Sequence, residues 1–138
     1  MPATIVLKPG KDQSPRRRHP WVFSGAIARI KGEAKEGDAV RVEAANGDLL
    51  GTGHFSPGGS IAVRLFDFGA EAQLPSPTFW EGKLRNAYQL RHRLGLATGA
   101  GTTDVYRLTH GEGDGLPGLI IDVYGDTAVI QAHSPGMY

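Results

Sequence analysis

The chain has 138 residues, 40% of them hydrophobic, no cysteine and a formal net charge of +1. That length suits one domain or two small ones. The lack of thiols excludes a disulfide framework and thiolate catalysis by this chain, and fits a reducing, cytoplasmic setting. No apolar run reaches membrane-spanning length, and the start MPATIV lacks a charged region leading into an apolar one, so neither membrane insertion nor secretion is expected.

Twenty glycines and nine prolines point to many turns and a β-rich chain. Residues 3–7 read as a first strand closed by Pro9-Gly10. Residues 11–18 suit a short helix with Ser14 as cap and Pro15 in the first helical position. Pro20 must end it, because the residue before a proline avoids the α region. Residues 26–30 make the next strand. Residues 39–44 alternate in polarity, Asn46-Gly47 is a strong hairpin signal, and 49–55 is the partner strand. Gly51 and Gly53 within it mark a bend or a close backbone approach. Residues 56–59 turn into a strand over 61–66. Residues 1–72 thus read as a small, mostly β unit, best arranged as a closed or partly closed barrel that leaves few edges.

Leu-Pro-Ser-Pro at 74–77 reads as a joint. Thr78 and Glu81 have the spacing of a capping box, opening a helix that runs to about Leu94 and stops at Gly95. Trp80, Leu84, Ala87, Tyr88 and Leu94 fall near one face. Lys83, Arg85 and Arg93 on the other read as a solvated surface. Residues 97–104 are a glycine-threonine loop whose Gly99-Ala100-Gly101 has no strand before it and no helix after it, which discounts it as a phosphate cradle. Residues 106–109 read as a strand, and 119–124 pairs with 127–131 across Gly125-Asp126. One helix and one hairpin are too little for a stable second domain, so more chain is expected after Tyr138.

The stretch GEGDGLPG contains G-x-G-x-x-G at Gly113, Gly115 and Gly118. That spacing binds a pyrophosphate only where a strand turns into a helix. Here β-branched runs follow, so the stretch reads as a turn before a hairpin. His110-Gly111-Glu112 has the H-x-E form of zinc deaminases, but that metal site also needs two cysteines. A set built from His110, Glu112 and Asp114 is more economically a polar turn, and no metal is expected.

The net charge hides an uneven distribution. Residues 1–35 carry eight Lys/Arg against two acids, and 111–138 carry four acids and no Lys/Arg. Within the basic part, RRRHPWVFSG is the most distinctive segment. Arg16, Arg17 and Arg18 supply phosphate forks, Trp21 and Phe23 are able to stack on bases, and Gly25 permits close backbone approach. Each has a plainer reading: the arginines as a solvated helical face, and the two aromatics as plugs at the end of a small barrel, which is the outcome expected for them. The combination favours nucleic acid.

Two long stretches, LKPGKDQSPRRRHPWVFSGAIARI and YRLTHGEGDGLPGLIIDVYGD, resemble in order the opening and central parts of the bacterial class I 23S rRNA large-subunit methyltransferases that methylate C5 of cytosine. The resemblance covers essentially the whole chain. It implies an α+β, mostly β fold: a PUA-like RNA-binding pseudobarrel over 1–72, then part of a central α/β domain over 73–138. A C-terminal Rossmann-like domain binding S-adenosylmethionine and carrying the catalytic cysteine would lie outside this chain. In that family a thiolate adds to C6 of cytosine and C5 then takes the methyl group. Carried over by position, the RNA-binding candidates are Arg16, Arg17, Arg18, His19, Trp21, Phe23, Ser24 and Gly25, with the run from His19 to Gly25 as a loop. The resemblance further implies ribosomal RNA as partner, no catalytic, metal or cofactor residue in these 138 positions, no methyl transfer by them alone, and no membrane. The alternatives are a stand-alone PUA-type RNA-binding module and a protein-interaction module using the same aromatics.

Overall fold

The computed structural model describes residues 1–99 and 103–138. They form two compact units, 1–74 and 75–137. The class is α+β and mostly β, as expected.

The first unit contains β1 (Thr4–Leu7), α1 (Gln13–Arg16), β2 (Trp21–Phe23), a 3-10 turn at Ser24–Ala26, β3 (Ile27–Lys31), β4 (Ala39–Glu43), β5 (Leu49–Phe55) and β6 (Ile61–Phe68). One six-stranded sheet, ordered β2-β6-β5-β4-β1-β3, curls into a half-barrel. All its pairs are antiparallel except β1 with β4. Period-2 alternation fills the interior: Val40 and Val42 of β4 are fully buried, while Arg41 between them points out. Ile5, Leu7, Leu50, Val63 and Leu65 join them in the core. β5 and β6 approach very closely. A Cβ on Gly51 would lie 2.5 Å from the Asp67 carbonyl, and one on Gly53 2.5 Å from the Arg64 carbonyl. Only glycine permits this approach, and the pairing shifts register between Thr52 and Gly53.

Three sequence expectations need correction here. α1 begins two residues earlier than a Ser14 cap implies, with Asp12 at the N-cap position; the Asp12 carboxylate reaches Arg16 and leaves the helix end without a side-chain cap. Pro15 is then the third helical residue, where its missing N–H is still one that no helical carbonyl would claim. Residues 21–23, read as part of a loop, form a short strand instead. The Leu65 N–H donates to the Pro20 carbonyl at 2.7 Å, and Trp21 and Val22 pair with Arg64 and Val63. Finally, Val22 plugs this end of the core, not the two aromatics: Trp21 is half-buried and Phe23 is 49% exposed.

The second unit contains α2 (Pro77–Arg93), β7 (Val105–His110), a 3-10 turn at Gly111–Asp114, β8 (Leu119–Tyr124), β9 (Thr127–Ala132) and a last 3-10 turn at Pro135–Met137. The three strands form an antiparallel sheet in chain order. α2 is capped by Ser76, whose hydroxyl accepts from the Phe79 N–H at 3.1 Å, with Pro77 in the first helical position. The expected Thr78–Glu81 box does not form, and Glu81 pairs with Arg85. At the other end Gly95, at φ +80°, lets its own N–H and that of Leu96 return to the His92 and Arg91 carbonyls. Of the expected apolar face only Ala87 is fully buried, and Tyr88 and Leu94 are exposed. Gly118 leads into β8, a strand. Ala100 and Gly101 of the discounted glycine cradle lie outside the described residues. Among the described residues no helix is long and apolar enough to cross a membrane.

Candidate nucleic-acid interface

The basic run follows directly from the end of α1. The chain turns there because Arg18 takes a left-handed backbone, φ +62°, and it is the sole non-glycine described residue with positive φ. Arg18 and His19 send their N–H groups back to the Pro15 and Ser14 carbonyls at 2.9 and 3.0 Å. The His19 Nδ1 then accepts from the Trp21 N–H at 3.2 Å, and its ring meets the indole edge-on at 5.9 Å. Three consecutive arginines thus sit at a tight helix stop.

Their surroundings differ. Arg16 is occupied: its Nε donates to Asp12 at 2.6 Å and an Nη to Asp48 at 2.7 Å. The Arg16 guanidinium holds both carboxyl groups below the usual carboxylate range. Asn46 also donates to Asp48, so Arg16 ties α1 to the β4–β5 hairpin. Arg17 is exposed and, among the described residues, has no ion-pair partner. Arg18 lays its guanidinium over the Phe68 ring, 5.8 Å from the centroid.

Two clefts adjoin this segment. One of about 470 Å³ is lined by Arg16, Arg18, Asp48, Leu50 and Phe68. The other, of about 480 Å³, is lined by Lys11, Gln13, Ser14, Trp21, Phe23 and Gly25. Both lie within the size range of ligand clefts. Of the eight sequence candidates, Trp21, Phe23 and Gly25 share the second cleft and Arg16 and Arg18 share the first. Arg17, His19 and Ser24 line neither. Ser24 is tied by its N–H to the Ser60 carbonyl at 2.8 Å. Sequence reasoning passed over Lys11, Gln13 and Phe68. Lys11 and Gln13 sat in the same quoted stretch, but Phe68 reaches Arg18 across fifty residues and has no local signal.

In the second unit the polar groups of the glycine-rich turn are engaged structurally. Asp114 accepts two hydrogen bonds from Arg91, one at 2.9 Å, and a third from the His110 N–H at 2.6 Å. Both side chains are largely buried. Arg107 pairs with Asp122 and approaches the His110 ring. In the first unit His54 is buried against Phe66, ring centroids 4.8 Å apart, and burial holds its imidazole below the usual value.

The half-barrel and its basic helix stop define a class of domain. Residues 5–68 match the family model of the PUA-like domain. Over 136 residues the chain is 41% identical to the ribosomal RNA large subunit methyltransferase I of Alteromonas mediterranea, covering 99% of this chain and 33% of that protein. It is 40% identical to the protein of that name from Citrobacter koseri, with the same shares covered. The fold is similar throughout to a putative SAM-dependent methyltransferase from Streptococcus mutans, TM-score 0.79 at 17% identity, covering 100% of this chain and 34% of that one. It is equally similar to a putative methyltransferase complexed with SAH, TM-score 0.80, with the same identity and coverage. The chain thus spans about one third of the length of the relatives it matches.

Proposed function

We propose that this chain is the RNA-recruiting part of an S-adenosylmethionine-dependent methyltransferase acting on C5 of a cytosine in 23S rRNA, in the cytoplasm. The observation that carries the reading is the helix stop of a PUA-like unit, where Arg17 is exposed, Arg18 lines one cleft and an exposed Phe23 lines the other, in a chain whose relatives are named for ribosomal RNA. The arginine forks hold phosphates, and the aromatic meets a base. The work assigned to residues 1–72 is positioning: fixing the RNA so that one base reaches a reactive centre elsewhere in the protein. Residues 73–138 begin the domain that connects the two.

The adenosyl cofactor is assigned to residues outside this chain. The glycine-rich turn does not fit it: Gly118 feeds a strand, and Asp114 is spent on Arg91 and the His110 N–H. No helix N-terminus there meets a pyrophosphate.

Titrating labelled 23S rRNA fragments with the chain at low salt should give saturable binding, which the Arg17→Glu, Arg18→Glu double variant reduces at least tenfold. Calorimetric titration with S-adenosylmethionine should give no heat. A chain that binds no RNA overturns the reading, and micromolar cofactor binding overturns the assignment of that site.

A further inference from the structure

The cleft between α1 and β2 has two unlike walls. One is aromatic: Trp21 and Phe23, two residues apart on β2, both line it, and Val22 between them borders it too but is buried in the core. The other is polar: Lys11, Gln13 and Ser14 present an ammonium, an amide and a hydroxyl. Those three side chains are exposed and engage no other described residue through their polar atoms. Gly25 also lines the cleft. Its φ is not in the left-handed region, and a Cβ there would meet nothing within 4 Å. The fold therefore does not require glycine at this position, yet a larger side chain would take up space in the cleft.

A ligand matching both walls is flat and apolar on its faces, carries hydrogen-bonding groups on its edge, and has an anion attached. A nucleotide has that chemistry. We infer that this cleft takes one unpaired base of the RNA, stacked on Phe23, with Gln13 and Ser14 at its edge and Lys11 at its phosphate. In a duplex both faces of every base are covered by neighbours, so the cleft selects unpaired RNA. Gln13 offers both a donor and an acceptor and Ser14 rotates to suit, which makes the site tolerant of base identity. The inference rests on the RNA-facing reading of the α1–β2 segment and names the form of RNA that it takes.

The test is fluorescence anisotropy with a labelled 12-nucleotide single strand and the corresponding duplex. The wild-type chain should prefer the single strand. Phe23→Ala should weaken single-strand binding about tenfold, as the loss of one base stack predicts. It should leave duplex binding and the salt slope unchanged, and Phe23→Tyr should restore the affinity. Gly25→Leu should fold, as circular dichroism reports, and bind the single strand as poorly as Phe23→Ala. Equal binding of strand and duplex, or full single-strand affinity in a folded Phe23→Ala, overturns the cleft assignment while steep, salt-dependent binding of both keeps the RNA-recruiting function. Failure of the wild-type chain to bind either probe overturns both.

Discussion

At Arg18 the fold and the proposed function make opposite demands. A left-handed backbone costs an L-residue about 1–2 kcal/mol, and glycine is the residue such a helix stop ordinarily selects. Arg18→Gly relieves that strain and should leave the first unit as stable or about 1 kcal/mol more so in urea denaturation, while RNA affinity falls. A variant that loses stability and keeps its affinity would make Arg18 a packing partner of Phe68 and nothing more. Arg16 should behave differently. Its charge is already spent on Asp12 and Asp48, so Arg16→Ala should loosen the attachment of α1 and reduce RNA affinity less than Arg17→Ala does. His54 gives the first unit a pH limit. Burial depresses its folded-state value, so the unfolded chain takes up this proton first as pH falls. Stability should be constant in this respect above about pH 6.5 and decline from there down to the folded-state value, with a limiting slope of about 1.4 kcal/mol per pH unit. Urea denaturation at pH 7.5 and 5.5 reads it. His54→Gln should shrink the difference between the two, and a difference that persists in full would place the pH dependence elsewhere.

The elements divide by how local their determinants are. The hairpins at Asn46-Gly47 and Gly125-Asp126 were legible because tight turns carry their own chemistry, and both pair as read: Gly125-Asp126 is a two-residue turn, while Asn46-Gly47 lies in a longer one in which the Gly47 N–H donates to the Ala44 carbonyl. The close approach at Gly51 and Gly53 was legible because glycines inside a strand mark such a site. The end of α2 at Gly95 was readable, but its start was assigned to Thr78, because Ser76-Pro77 and Thr78–Glu81 offer overlapping cap signals and proline's fixed φ favours the first. The aromatics of β2 were misjudged because size alone suggests burial. A three-residue strand has one inward position, and Val22 holds it. The Arg91–Asp114 pair, 23 residues apart, leaves no local trace, yet it anchors the glycine-rich turn to α2. Both groups are largely buried, so Asp114→Ala leaves the guanidinium uncompensated and should cost the second unit about 3–5 kcal/mol, read by chemical denaturation. Replacing both with Met and Leu should cost much less. A single variant as stable as the double would show that the pair is solvated in solution.

For the molecule as a whole, the charge map sets how RNA binding must respond to salt. Of the eight cations in residues 1–35, Arg16 is paired with Asp12 and Asp48 and Lys31 with Glu43. Among the described residues this leaves Lys8, Lys11, Arg17, Arg18, Arg29 and Lys35 without an acidic partner, an upper bound of six phosphate contacts from this part of the chain. Each contact releases counterions and contributes roughly 0.7 to 0.9 to the slope of log affinity against log salt, so the share of the slope due to residues 1–35 should be no steeper than about −5. The double variant Arg17→Ala, Arg18→Ala should flatten it by about 1.5 units, and Arg16→Ala by clearly less than one. The aromatic cleft enters as the intercept: stacking on Phe23 is insensitive to salt, so binding extrapolated to high salt should vanish in Phe23→Ala before it vanishes in the wild type. Anisotropy titrations between about 50 and 200 mM salt separate these contributions, because the arginines change the slope and the aromatic changes the offset. Binding indifferent to salt over that range would remove the electrostatic basis of the RNA reading and make the same exposed aromatic a contact for protein.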